Sequence, residues 1–379
     1  MASMQDVINP ITITNYERDF VDGITQHNPT FKLLNDKGNI KRNVGGTSLT
    51  WELEAGRHDV HIVDDYEDVA AKYTPRKRFA QPTLNWGELA VFRAISKGQL
   101  RQNSGQEALV RFRDEEVPAM FRDAIFATNG LAHQFLNQDG TDYSGTGRPM
   151  FGLPTLFTDV TWAAGSKEGT VAGSYAGLSM ALSGISVDGA ESDAWTPTAV
   201  NTTSTAWGGG AGNATFRYNA FEILTYAMAK ASRFSANDPK KMPDCGILAQ
   251  SLFIDLGYQI QAKQTIFLGG KVGKGQDQGI GYGNDKTLYH NGLPIHWDEN
   301  MPASTGYILN FSQIDLCQQP LISVSADKSP VKTDGEYSPL FETEVSYNDG
   351  RRAVTVSATF PGQIKFRNPR YQVQLYAGA

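Results

Sequence analysis

Gly45-Gly46-Thr47-Ser48-Leu49-Thr50-Trp51-Glu52-Leu53-Glu54-Ala55-Gly56-Arg57 opens a polar stretch that runs on to Ile95. Leu49, Trp51 and Leu53 alternate with Thr50, Glu52 and Glu54, the period of two that a half-buried strand requires. Leu89, Val91 and Ile95 close the stretch in similar register. Between them lie a charge mixture, His58-Asp59-Val60-His61-Ile62-Val63-Asp64-Asp65, and a basic knot, Arg76-Lys77-Arg78. About 50 residues of hairpin with one thin apolar stripe are marginal alone in water. Ordering that backbone costs ~1–2 kcal/mol per residue. A neighbouring copy of the same chain is the simplest source of the missing contacts. Trp51, Glu54, Arg57, Arg76, Lys77 and Arg78 are therefore candidate subunit-interface residues.

Upstream, residues 1–44 are polar and broken at Asn9-Pro10, His27-Asn28-Pro29 and Asp36-Lys37-Gly38, which reads as an extended arm. Downstream, Leu109, Phe112, Met120, Phe121, Ala124, Ile125, Leu131, Ala132 and Phe135 recur at three-and-four spacing. This predicts a long helix over 106–137, with Arg111 and Glu115 as an i,i+4 pair and further interface candidates. Pro118 falls within it. Proline inside a helix costs ~3 kcal/mol or more, so Pro118 either begins a second helix at its first turn or serves as a hinge.

Residues 161–215 are rich in Thr, Ser, Gly and Ala around Trp162, Trp195 and Trp207, and read as an inserted β-rich module. Asn219 with Glu222 forms a capping box for a helix over 219–234. The apolar run 246–250 predicts a buried strand followed by a helix through Ile260. A Gly-rich loop is expected over 269–283, and strands over 293–297 and 307–311. Thr343, Val345 and Tyr347 alternate, as do Val354, Val356, Ala358 and Phe360, so Asn348-Asp349-Gly350 is expected to turn a hairpin. Residues 364–376 continue extended.

Hydrophobic residues at 40% and charged residues at 20% place the chain among folded proteins. A net charge of −6 argues against a dedicated nucleic-acid binder, whose domain is usually basic. Cys245 and Cys317 sit in apolar contexts and are expected as buried free thiols. No apolar run reaches the ~20 residues of a membrane span. Met1-Ala2-Ser3-Met4-Gln5-Asp6 lacks a signal pattern, so synthesis in a cytoplasm is expected.

Enzyme motifs fail one by one. Gly269-Gly270-Lys271-Val272-Gly273-Lys274-Gly275 lacks the Ser or Thr that a phosphate loop places after Lys. His58 and His61 would face opposite sides of a strand and could not converge on one metal ion. No nucleophile elbow or His-Glu-x-x-His element is present. The expectation is no catalytic, metal or cofactor site.

Arm, long hairpin, long helix, β tract, mixed α/β segment and closing hairpin form an order that resembles the major capsid protein of tailed bacteriophages, the HK97 fold. The segments 45–95, 106–137, 219–234, 243–260 and Asn291-Gly292-Leu293-Pro294-Ile295-His296-Trp297-Asp298 with Gly306-Tyr307-Ile308-Leu309-Asn310-Phe311 carry the resemblance. It implies an α+β chain with an N-terminal arm (1–44), an E-loop hairpin (45–100) and a peripheral domain with spine helix (101–160). An insertion (161–215), an apical domain (216–335) and a C-terminal β return to the peripheral domain (336–379) follow. The implied function is structural: hexamers and pentamers forming an icosahedral head around double-stranded DNA, located in the virion and made in the host cytoplasm. Implied partners are further copies and scaffolding, portal and decoration proteins, with no membrane and no sequence-specific DNA contact. The chain lacks a helical N-terminal extension resembling a fused scaffold, and no Lys–Asn crosslink can be placed. Two alternatives stand beside this reading. One is the shell of an encapsulin-like bacterial compartment, the other a carbohydrate-binding protein using Trp162, Trp195 and Trp207.

Overall fold

In the computed structural model the described residues are 39–57, 77–96, 130–137, 150–208, 215–267, 280–282, 288–320, 322–324, 330–332, 342–348 and 353–377, apart from positions 183, 189, 192, 234, 236–237 and 239–240, together with Thr30, Leu33 and Lys37. They belong to two units, one of residues 1–47, 85–153 and 314–365, the other of 48–84, 154–313 and 366–379.

The first unit is organised by one 14-residue strand, Ala353–Phe366. Its first half pairs antiparallel with Glu342–Asn348, from Glu342 opposite Thr359 to Asn348 opposite Ala353, which is the expected hairpin. It also pairs antiparallel with Gly87–Ser96, from Gly87 opposite Gly362 to Ser96 opposite Ala353. The sheet continues to Ile314–Gln318, which pairs in parallel with Ile40–Lys41 at the end of the arm. Residues 87–96 therefore do not return along 49–54 as one long hairpin; they join the C-terminal strand. That strand buries Ala358, Phe360, Ile364 and Phe366 and offers a longer, more apolar partner than the ribbon's thin stripe. Helix α1 (Leu131–Asn137) buries Leu131, Ala132, Phe135 and Leu136, as the end of the expected long helix should. Arg111, Glu115 and Pro118 lie outside the described residues.

The second unit holds a mixed nine-stranded sheet. Across it the strands run Ile280–Tyr282, Leu288–His290, Leu293–Trp297, Cys245–Leu248, Thr305–Leu309, Val373–Tyr376, Thr198–Asn201, Glu168–Val171 and Val160–Trp162. Helices α2 (Phe216–Ser232) and α3 (Gln250–Phe267) pack on it. Ile223, Leu224, Ala227, Leu252, Leu256 and Ile260 bury against Val200, Leu248, Ile295, Ile308, Val373 and Leu375. Each such large side chain is worth about 1.5–3 kcal/mol. The Cys245–Leu248 run is buried at every position, which is why it reads as an unbroken apolar strand.

Three expectations are corrected here. The tract 161–215 is not a separate module: Glu168–Val171 and Thr198–Asn201 extend the sheet, the latter in parallel with Val373–Tyr376. Helix α2 starts one turn before Asn219, with Thr215 as its N-cap, and the Asn219 side chain donates back to the Thr215 carbonyl at 3.4 Å in place of a capping box. Ile280–Tyr282, expected within a loop, is a strand paired with Leu288–His290. Helix α3 also runs past Ile260 to Phe267, and the last strand of the Gly306 region starts at Thr305. Cys245 and Cys317 are buried and free, as expected.

Candidate functional site

The root of the ribbon is built from three segments far apart in sequence. Ser48–Thr50 pairs with Thr83–Asn85, and Leu53–Glu54 pairs antiparallel with Phe79–Ala80. Leu49 and Leu53 are buried, Trp51 is half-buried, and Thr50, Glu52 and Glu54 are exposed, which is the alternation expected. A third segment, 188–191, lies along the ribbon through a bridge between Gly56 and Ala190. The Ala55 and Gly56 N–H groups donate to the Arg78 carbonyl at 3.1 and 3.2 Å, and the Glu191 N–H donates to the Ala55 carbonyl at 3.0 Å. Asp188 clasps Lys77 twice: its N–H donates to the Lys77 carbonyl at 3.0 Å, and its Oδ2 accepts from the Lys77 N–H at 3.1 Å. Gly56 is required by close approach, since a Cβ there would stand 2.5 Å from the Asp188 carbonyl oxygen.

Charge follows the same lines. Glu191 pairs with Arg57 and, at 3.5 Å, with Arg370. Arg370 also donates to the Tyr371 hydroxyl at 2.9 Å. Arg78 pairs with Glu54 across the ribbon and lies over the Phe79 ring, 5.7 Å from its centroid. The acid that meets Arg78 is thus in its own chain. Such exposed pairs contribute only ~0.2–1 kcal/mol each, so they set register more than they hold the root in place.

Beneath them runs an aromatic file. Trp51 lies 6.3 Å from Trp195, Trp195 lies 6.0 Å from Tyr175, and Tyr175 meets Phe366 edge-on at 5.6 Å. The Trp51 indole donates to the Arg367 carbonyl at 2.9 Å, and the Tyr175 hydroxyl accepts from the Phe366 N–H at 2.9 Å. Trp195 and Trp207 are buried and Trp162 stacks on Tyr376, so two of the three tryptophans weighed as a sugar platform are core. Among the described residues no cluster of His, Cys, Asp and Glu could hold a metal ion, and no helix is long and apolar enough to cross a membrane.

Of the interface candidates, Trp51, Glu54, Arg57, Lys77 and Arg78 gather at this root, while Arg76 lies outside the described residues. Asp188, Glu191 and Arg370 were missed. No local pattern marks them, because only the topology brings residues 188–191 and 370 to the ribbon.

No family model matches the chain, and no curated protein matches it. Among solved structures it is similar to the cyanophage A-1(L) capsid asymmetric unit, with 10% identity and a TM-score of 0.53 over 93% of both chains. This is a phage capsid fold. Similarity extends to the capsid of a native GTA particle, at 12% identity over 90% of this chain and 89% of that one, TM-score 0.47. It extends also to the holo encapsulin complex of Synechococcus elongatus, at 7% identity over 89% and 85%, TM-score 0.43. In this capsid fold the ribbon root is a stretch of exposed backbone and charge anchored to a buried aromatic file.

Proposed function

We propose that the chain is the major capsid subunit of a tailed phage, a structural protein on the HK97 plan that assembles as hexamers and pentamers into an icosahedral head around double-stranded DNA. The observation that carries this reading is the fold shared with the cyanophage capsid subunit along 93% of both chains. In this reading the ribbon of 45–95 is the E-loop, 106–137 the spine helix, the sheet on Ala353–Phe366 the peripheral domain and the nine-stranded sheet the apical domain core. The ribbon's root is fixed in its own subunit, and the rest of it reaches a neighbour, where Arg57, Arg76, Lys77 and Arg78 meet acidic groups. Many weak contacts spread over several neighbours suit a closed shell. A net charge of −6 limits adhesion to the enclosed genome.

Electron microscopy of the purified chain, concentrated in a crowding agent, tests the proposal. Rings of five or six copies, or closed shells, are expected. A protein that sediments only as a monomer would overturn it. Pro118→Ala addresses the hinge: normal assembly and expansion of that variant would leave Pro118 as a helix start.

A further inference from the structure

Gly87–Ser96 is a ten-residue strand whose one partner among the described residues is Ala353–Phe366. Its other edge therefore presents backbone N–H and C=O groups to be paired, the usual template for adding a strand from another chain. Leu89 and Val91 lie opposite Phe360 and Ala358, which are buried, so they belong to the inner face. Glu88, Ala90, Phe92, Ala94 and Ser96 form the outer face. Phe92 is 70% exposed, the most exposed large hydrophobic residue among those described.

The outer face has a pattern of its own: polar, Ala, Phe, Ala, polar, the same in both directions about Phe92. Two copies of such a strand, antiparallel and related by a two-fold axis through the sheet, keep their outer faces on the same side. With the axis at Phe92, the two phenyl rings face each other, each Ala90 faces an Ala94, and each Glu88 faces a Ser96. The alanines leave room for the rings, and no like charges are opposed. Directly opposed side chains have Cβ atoms about 4.5–5.5 Å apart, where aromatic pairs interact best. Soluble chains usually blunt a long edge with Lys or Pro; here the centre of the edge is Phe.

We infer that the Gly87–Ser96 edge pairs with the same edge of a second copy across a two-fold axis at Phe92, continuing the sheet from one subunit into the next. The inference rests on the shell reading only in taking another copy of this chain as the occupant.

Cysteine crosslinking tests it. Directly opposed residues satisfy the Cα separation of about 4.4–6.8 Å that a disulfide needs, so Phe92→Cys should link subunits into dimers under mild oxidation. Glu88→Cys alone should not, because its own counterpart lies about 27 Å away at ~3.4 Å per residue. Glu88→Cys with Ser96→Cys should link again. Cys245 and Cys317 are buried and give no background. Phe92→Lys, which opposes two ammonium groups at the axis, should weaken association without changing the monomer's circular dichroism. Particles that form while Phe92→Cys stays unlinked, or links no better than Glu88→Cys, overturn the edge pairing alone. Linked Phe92→Cys dimers without particles uphold the pairing and overturn the shell. Unlinked monomers throughout overturn both.

Discussion

The Lys41 ammonium lies 3.1 Å from the carboxylate of Asp315, which is buried completely, and Lys365 approaches the same group at 3.4 Å. Lys41 belongs to the short strand that ends the arm, so one buried acid ties the arm to the sheet of the first unit. Removing one partner of a buried pair costs more than the pair contributes, because the remaining charge stays desolvated. Asp315→Asn should lower stability by about 3 kcal/mol, read from denaturant unfolding. Adding Lys365→Met should recover part of the loss, and no recovery would show that the lysine is not the stranded charge.

Gly56 and Asp188 set the ribbon root. Gly56→Val drives its side chain into a backbone carbonyl, an overpacking that costs about 1–3 kcal/mol. The effect should be local. Trypsin should cut at Arg57 and Lys77 faster than in the parent chain, while the thermal transition of the sheet moves little. Equal cleavage in the two proteins would argue against the bridge between Gly56 and Ala190.

Arg78 and Glu54 separate a role within the chain from a role between chains. Arg78→Glu places two acids side by side, and Glu54→Arg on top of it restores the pair in reverse. If the pair only sets ribbon register, the double variant should assemble like the parent. If Arg78 also meets an acid on a neighbour, as proposed, the monomer should recover and assembly should not. Particle yield against monomer circular dichroism reads the two apart.

Acid acts on the two units in opposite directions. Burial lowers the pKa of His133 below its ordinary 6.5, so the unfolded chain binds this proton more readily and stability falls as pH drops through 6.5 towards the folded value. His133→Gln should flatten that loss. Burial raises Asp255 above its ordinary 3.8, a rise that Arg217 opposes. Its ionised form is therefore penalised at neutral pH, and the penalty is relieved as pH falls through the raised value. Asp255→Asn should raise the melting temperature at pH 7 and leave it unchanged in acid. A lower melting temperature at pH 7 would refute the sign.

The hairpin of 342–348 with 353–359 was legible because its side chains alternate and Asn348-Asp349-Gly350 supplies a turn. Helix α2 was legible from Ile223, Leu224, Ala227 and Ala231 on one face, although its start was not, since Phe216 precedes the residues that suggested a cap. The partner of 87–96 was not legible. A strand's alternation gives its faces but not the identity of the strand beside it, and here that strand lies more than 250 residues away by the register of Gly87 with Gly362. The same limit hid Glu191, which meets Arg57 and Arg370 through the fold alone. Ile280–Tyr282 and Glu168–Val171 are short and carry glycine, so neither composition nor period marks them.

Val373–Tyr376 sits in the middle of the nine-stranded sheet, between Thr305–Leu309 and Thr198–Asn201, and no other strand joins the two halves. A ribosome delivers those halves long before it delivers the strand between them. Until then each half carries an open edge on which nothing from its own chain can close, and the nascent subunit has two partial sheets in place of one. Completion of the sheet thus acts as a clock: the subunit reaches its finished shape only after residue 376 has left the exit tunnel, when the chain is all but released.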